Sequence, residues 1–201
     1  MSGSPSKFTA SPMMKRLTMD VFELDSAIES VLNMFEKDVI AGSDQLPESA
    51  GRIKVVINKK EEEYELSLQS NGRGITREEV ESTLSVVGQS SITGGKNATD
   101  DLWILAPFYF APDSYVFASN PRVDGEPIVA NSTPGGFEMI EDCDVENTFG
   151  LTVDLTISTD EHTVPEIGER IRGTVQESIE VPVEYELQEN GVSKKQIHIN
   201  Y

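Results

Sequence analysis

The chain has 201 residues, enough for one sizeable domain with its own core and short for two. Its 35 acidic and 16 basic residues leave a net charge of −19, which opposes direct binding to nucleic acid or anionic lipid, because counterion release needs a basic face. A single cysteine, Cys143, excludes an internal disulfide and a thiolate cluster, and His162 and His198 lack metal-ligand spacing.

Residues 1–16 open with Ser, Pro and Gly and read as a flexible N-terminal segment. From about Leu17 to Ile40 the pattern is helical, with Phe22, Ile28, Val31, Leu32 and Phe35 broadly on one side. Gly42, Ser43, Asp44, Pro47 and Gly51 then break it. Arg52 to Asn58 and Tyr64 to Gln69 read as two strands of a hairpin, joined by the charged turn Lys59 to Glu63. The second strand runs into Ser70-Asn71-Gly72-Arg73-Gly74-Ile75. Two glycines one residue apart let the backbone turn sharply and approach a ligand closely.

Thr76 with Glu79 forms a capping box for a helix to about Ser85. Gly88 to Asp101 is a long polar loop, a kind of segment that in compact domains is usually functional or disordered. The apolar block Leu102 to Ala111 is about half the length of a membrane helix and contains Pro107, so a cytoplasmic protein without a membrane span is expected. Short strands are expected near Ser114 to Ser119, Pro127 to Asn131 and Gly136 to Ile140, and a clean alternation marks Leu151 to Ile157. Thr163 to Ile179 reads as a helix with Pro165 in its first turn. Val181 to Leu187 reads as a strand that Asn190-Gly191 turns toward Gln196 to Asn200. Strands outnumber helices and hairpins link several of them. The expected class is α+β: a two-layer α/β sandwich with a mixed, mostly antiparallel sheet and helices on one face. The domain is expected over 17–187, with 188–201 as a C-terminal hairpin or a linker to a further domain.

On the first helix Glu29, Asn33 and Glu36 are spaced i, i+4 and i+7, which puts them on one face. A carboxylate with an amide one turn later suits a general base beside an Mg²⁺ ligand. Taken singly, each is most often a surface residue, and SNGRG alone is more often a strand-end turn than a pocket.

Together, in this order, they resemble the GHKL nucleotide-binding superfamily of Bergerat-type sandwiches: gyrase, the ninety-kilodalton heat-shock chaperones, histidine kinases and MutL. The first motif of that family is Glu, then Asn four residues on, then often an acidic residue three beyond, matched by Glu29, Asn33 and Glu36. Its second motif, Asp-x-Gly-x-Gly, corresponds to Ser70-Asn71-Gly72-Arg73-Gly74, and its late-strand threonine to Thr152. An alternative register with Glu23 as the carboxylate puts Ala27 where asparagine belongs. The resemblance implies an ATP-binding domain of heat-shock-chaperone or topoisomerase type, with ATP controlling lid closure and dimerisation. It implies Glu29 as base, Asn33 on Mg²⁺, the adenine beside Ser70, Asn71, Gly72 and Gly74, and loop 88–101 as lid.

Two departures weaken the motifs. Ser70 replaces the family's adenine-reading aspartate, and residues 98–108, where a phosphate-holding glycine turn belongs, contain no glycine. The nearby substitutes are Gly94, Gly95 and Lys96. The alternative is therefore a degenerate, non-hydrolysing member acting as a protein-interaction or scaffold module, the first reading being a weak Mg-dependent ATPase. The expected partner is another protein or a second copy of this chain. The acidity fits a high-salt cytoplasm, a basic partner, or mimicry of DNA.

Overall fold

The computed structural model describes residues 7–8, 24–46, 51–80, 112–122, 125–133, 136–140, 149–158 and 164–201. The elements in chain order are β1 (Lys7–Phe8), α1 (Leu24–Gly42), β2 (Ile53–Lys59), β3 (Glu63–Ser70), β4 (Ser114–Asn120), β5 (Ile128–Thr133), β6 (Gly136–Ile140), β7 (Gly150–Ser158), α2 (Val164–Ser178), β8 (Val183–Glu189) and β9 (Val192–Ile199). They form one sheet in the order β1-β6-β5-β4-β7-β3-β2-β8-β9. The β2–β8 pair is parallel and the other neighbours run antiparallel. The class is α+β, as the strand-rich, hairpin-rich sequence predicts.

Strict alternation decides which face the helices cover. Ile53, Val55 and Ile57 of β2 are buried, as are Leu66 and Leu68 of β3 and Leu151, Val153 and Leu155 of β7. Their neighbours Lys54, Glu65, Ser67, Asp154 and Glu186 stand on the other, polar face. Helix α1 lays Ala27, Ile28, Val31, Leu32, Phe35 and Val39 onto the apolar face. Each of the larger of these side chains, fully buried, stabilises the fold by about 1.5–3 kcal/mol. Ile28, Val31 and Leu32 meet Leu66, Leu68, Leu155 and Ile171 around a gap of about 10 Å³, at the lower limit for one water. Helix α2 lies beside α1, and an exposed ion pair from Arg170 to Asp25, 2.8 Å long, joins them.

The strand ends are set by local chemistry. Asn190 and Gly191 both have positive φ (51° and 76°), the conformation a two-residue hairpin turn demands. Pairing therefore resumes at once and β9 begins at Val192, earlier than the Gln196 start read from the sequence. The capping box closes as expected: the Thr76 amide donates to Glu79 Oε2 (2.8 Å) and the Glu79 amide to Thr76 Oγ1 (3.3 Å). Among the described residues no helix is long and apolar enough to cross a membrane. The expected polar loop 88–101 and the apolar block 102–111 lie outside the described residues.

Candidate functional site

The turn Ser70 to Gly74 leaves the end of β3 and packs directly under the last turns of α1. A Cβ on Gly72 would lie 2.2 Å from Asp38 Oδ2 and 2.3 Å from the Asp38 carbonyl oxygen. On the facing side, a Cβ on Gly42, the last residue of α1, would lie 2.7 Å from the Arg73 amide nitrogen. The two glycines let helix end and turn meet backbone to backbone. Gly74 adds a second requirement, a φ of +77°, which only glycine adopts without strain.

Asp38 is the residue that α1 delivers to this turn. Ser70 Oγ donates to its Oδ2 (2.6 Å) and the Gly74 amide to its Oδ1 (2.7 Å). The Arg73 amide donates to the Asp38 backbone carbonyl (3.1 Å). Asp38 is only 6% exposed, and burial pushes its carboxyl above the ordinary value despite the opposing pull of those two hydrogen bonds and of the Arg73 and Arg122 charges. The Ser70 hydroxyl in turn accepts from the Leu151 amide (2.9 Å). Gly150, with φ +111°, brings β7 this close; a Cβ there would lie 2.4 Å from the Ser70 carbonyl oxygen.

The outer side of the turn is held as firmly. Arg122 donates from Nε to the Gly72 carbonyl and from its terminal nitrogen to the Asn71 carbonyl, both at 2.8 Å. Its guanidinium also sits 4.8 Å from the centre of the half-exposed Phe149 ring. Asn71 turns its side-chain oxygen onto the Arg52 amide (2.8 Å). Ser119, fully buried, accepts from the Ile75 amide and donates to the Ile75 carbonyl, each at 2.7 Å.

The structure thus gathers Ser70, Asn71, Gly72 and Gly74 around Asp38. It does not bring Glu29, Asn33 or Thr152 to them. At 100° per residue Glu29 stands about 180° and Asn33 about 140° around α1 from Asp38. Glu29 is exposed and Asn33 half-buried. Glu36, on the same stripe, accepts from the Glu180 amide (2.6 Å), on the connection between α2 and β8. Thr152 pairs with Gln69 and Ala118, so the pleat turns it to the polar face of the sheet, while Ser70 and Leu151 face the helices. Gly94, Gly95 and Lys96 lie outside the described residues.

Asp38 has a sequence signal that lies outside the GHKL-like motifs. Positions 28, 31, 35 and 38 are spaced for the buried stripe of a helix, and the last holds a carboxylate where an apolar residue is due. Counting the GHKL spacing back from Asp38 as the acidic position lands on Phe35 and Val31, both buried in the core. No family model matches this chain, and no curated protein matches it.

Proposed function

We propose that this chain is a degenerate, non-hydrolysing domain of GHKL type that works as a protein-interaction or scaffold module. What carries the reading is that the fold itself uses the hydrogen bonds of the glycine turn. Ser70 donates to Asp38 and accepts from Leu151, so the proton and one of the two lone pairs of the hydroxyl expected to read an adenine amino group are already committed within the fold. In the register set by Asp38, Phe35 and Val31 stand for the metal amide and the base, and an apolar side chain neither ligates Mg²⁺ nor takes a proton from water. The net charge of −19 favours a basic protein as partner through electrostatic steering.

The rival reading, an ATP-controlled lid domain, needs Glu29 as base and Asn33 on Mg²⁺ turned toward the glycines. Calorimetry and thermal denaturation with ATP and Mg²⁺ separate the two. The scaffold reading expects no heat, no shift in melting temperature at about 1 mM ATP and no phosphate release above background. Saturable binding whose Mg²⁺ dependence disappears in Asn33→Ala, or turnover that disappears in Glu29→Ala, would overturn it in favour of the rival.

A further inference from the structure

At the opposite end of β2 and β3, about 20 Å along the strands from the glycine turn, lies a cavity of about 240 Å³. Its apolar walls are Ile57, Tyr64, Tyr185 and Leu187, under Gly168 of α2. Gly168 lets α2 come down close on Tyr185 and Ile57 at the roof of the cavity. A Cβ on Gly168 would lie 3.0 Å from the Tyr185 hydroxyl and 3.1 Å from Ile57 Cδ1, inside the space. For scale, an apolar cavity of about 150 Å³ accommodates benzene. This one has room for a ring and a short polar arm.

Its polar groups, unlike those of the glycine turn, have capacity to spare. The Tyr185 hydroxyl reaches the Gly168 carbonyl at 3.4 Å, well beyond the usual ~2.7–2.8 Å of an O–H···O bond. Among the described residues the Tyr64 hydroxyl has no hydrogen-bond partner. The charges at the mouth are unequal in the same sense. Lys194 pairs with Glu189 at 3.5 Å, and Glu169 pairs with Arg172. Lys59, which lines the same mouth, has no carboxylate partner among the described residues, in a chain where acids outnumber bases 35 to 16. A half-open apolar slot, two under-used phenols and one cation without a carboxylate partner among the described residues together describe a receptor for an apolar body with a single negative group.

We propose that this cavity binds a small organic monocarboxylate, its aromatic or branched aliphatic body between Tyr64 and Tyr185 and its carboxylate at Lys59. The site shares no residue with the glycine turn, so it stands or falls independently of the scaffold reading.

Phenylacetate, with benzyl alcohol as its uncharged counterpart, tests the proposal by ligand-detected NMR and calorimetry on the full chain. Saturable binding of phenylacetate with Kd below about 1 mM, and binding of benzyl alcohol at least about tenfold weaker, is the expected result. Lys59→Gln should weaken phenylacetate about tenfold while leaving benzyl alcohol unchanged. Gly168→Ala, whose methyl would crowd the Tyr185 hydroxyl and Ile57 Cδ1 at the roof, should weaken binding of both compounds. No saturation by phenylacetate at about 10 mM, equal affinity for the two compounds, or phenylacetate affinity unchanged by Lys59→Gln would each overturn it. Lys59 is on the surface, so its variant decides the matter even where Gly168→Ala perturbs folding.

Discussion

The two ends of the central strands β2 and β3 use their polar groups in opposite ways. At the Ile53–Ser70 end, Asp38, Ser70, Gly74, Asn71 and Arg122 form a closed set in which helix, turn and neighbouring strand hold one another. At the Lys59–Tyr64 end, two phenols and a lysine border open space. The sequence motif that looks most like chemistry marks the first end, where donors and acceptors are consumed by architecture. The end with unspent capacity carries no motif. Glycine serves close approach at both: Gly72 lets backbone approach backbone until nothing else fits, and Gly168 lets α2 come down on Tyr185 and Ile57 at the roof of the cavity.

The comparison breaks most decisively at Asp38. Asp38→Ala strands the Gly74 amide and the Ser70 hydroxyl in a buried setting, and a loss of about 3–5 kcal/mol is expected in urea unfolding. A loss under about 1 kcal/mol would mean that the glycine-turn end is not the tightly braced one. Gly72→Ala comes next. Its methyl group would meet the Asp38 carboxylate and backbone within 2.4 Å, and moving a helix end off the turn should cost about 2–3 kcal/mol in the same assay. Ser70→Ala, which removes one hydroxyl but keeps the backbone, should cost about 1–2 kcal/mol.

A pH series sharpens the same contrast with a smaller effect. Burial holds the folded Asp38 carboxyl above the ordinary 3.8, so the native state binds that proton more tightly than the unfolded chain does. The stabilisation from this group is complete below pH 3.8 and is lost as pH rises through the folded value. Wild type should therefore gain stability relative to Asp38→Asn as the pH falls from neutrality toward that limit. Urea midpoints that keep a constant difference, or in which wild type loses stability relative to Asp38→Asn on acidification, would show that Asp38 is not held in a desolvated setting. The smallest effect belongs to the other end. Gly168→Ala sets a helix-propensity gain of up to about 1 kcal/mol against contacts of 3.0 and 3.1 Å with Tyr185 and Ile57, so its net effect should stay within about 1 kcal/mol, and a larger loss would mean that those two side chains have no room to shift.

Local features were legible in the sequence because they depend on near neighbours. The β2–β3 hairpin follows from alternation on either side of a charged turn, and the Thr76–Glu79 box closes within a single helical turn. The glycine turn was also found, and its glycines do serve close approach, but to Asp38 instead of an exposed pocket edge. The misplaced members show why the rest of the site was harder to read. Glu29 and Asn33 share a helix face, yet the apolar stripe beside them sets the rotation of α1, and that rotation carries the face away from the turn. Thr152 lies one residue out of phase with the Ser70 side of the sheet, a difference set by the Gln69–Thr152 pairing and invisible along the chain.

Composition and periodicity alone determined the class: many alternating strands, few helices, and one apolar face per element, since each element must bury its apolar side against another layer. Only the tertiary structure decided what Asp38 touches, which segments the glycines bring together, and which described polar groups keep capacity to spare. Those outcomes depend on distances between segments far apart in the chain, and the chain order does not encode them one residue at a time.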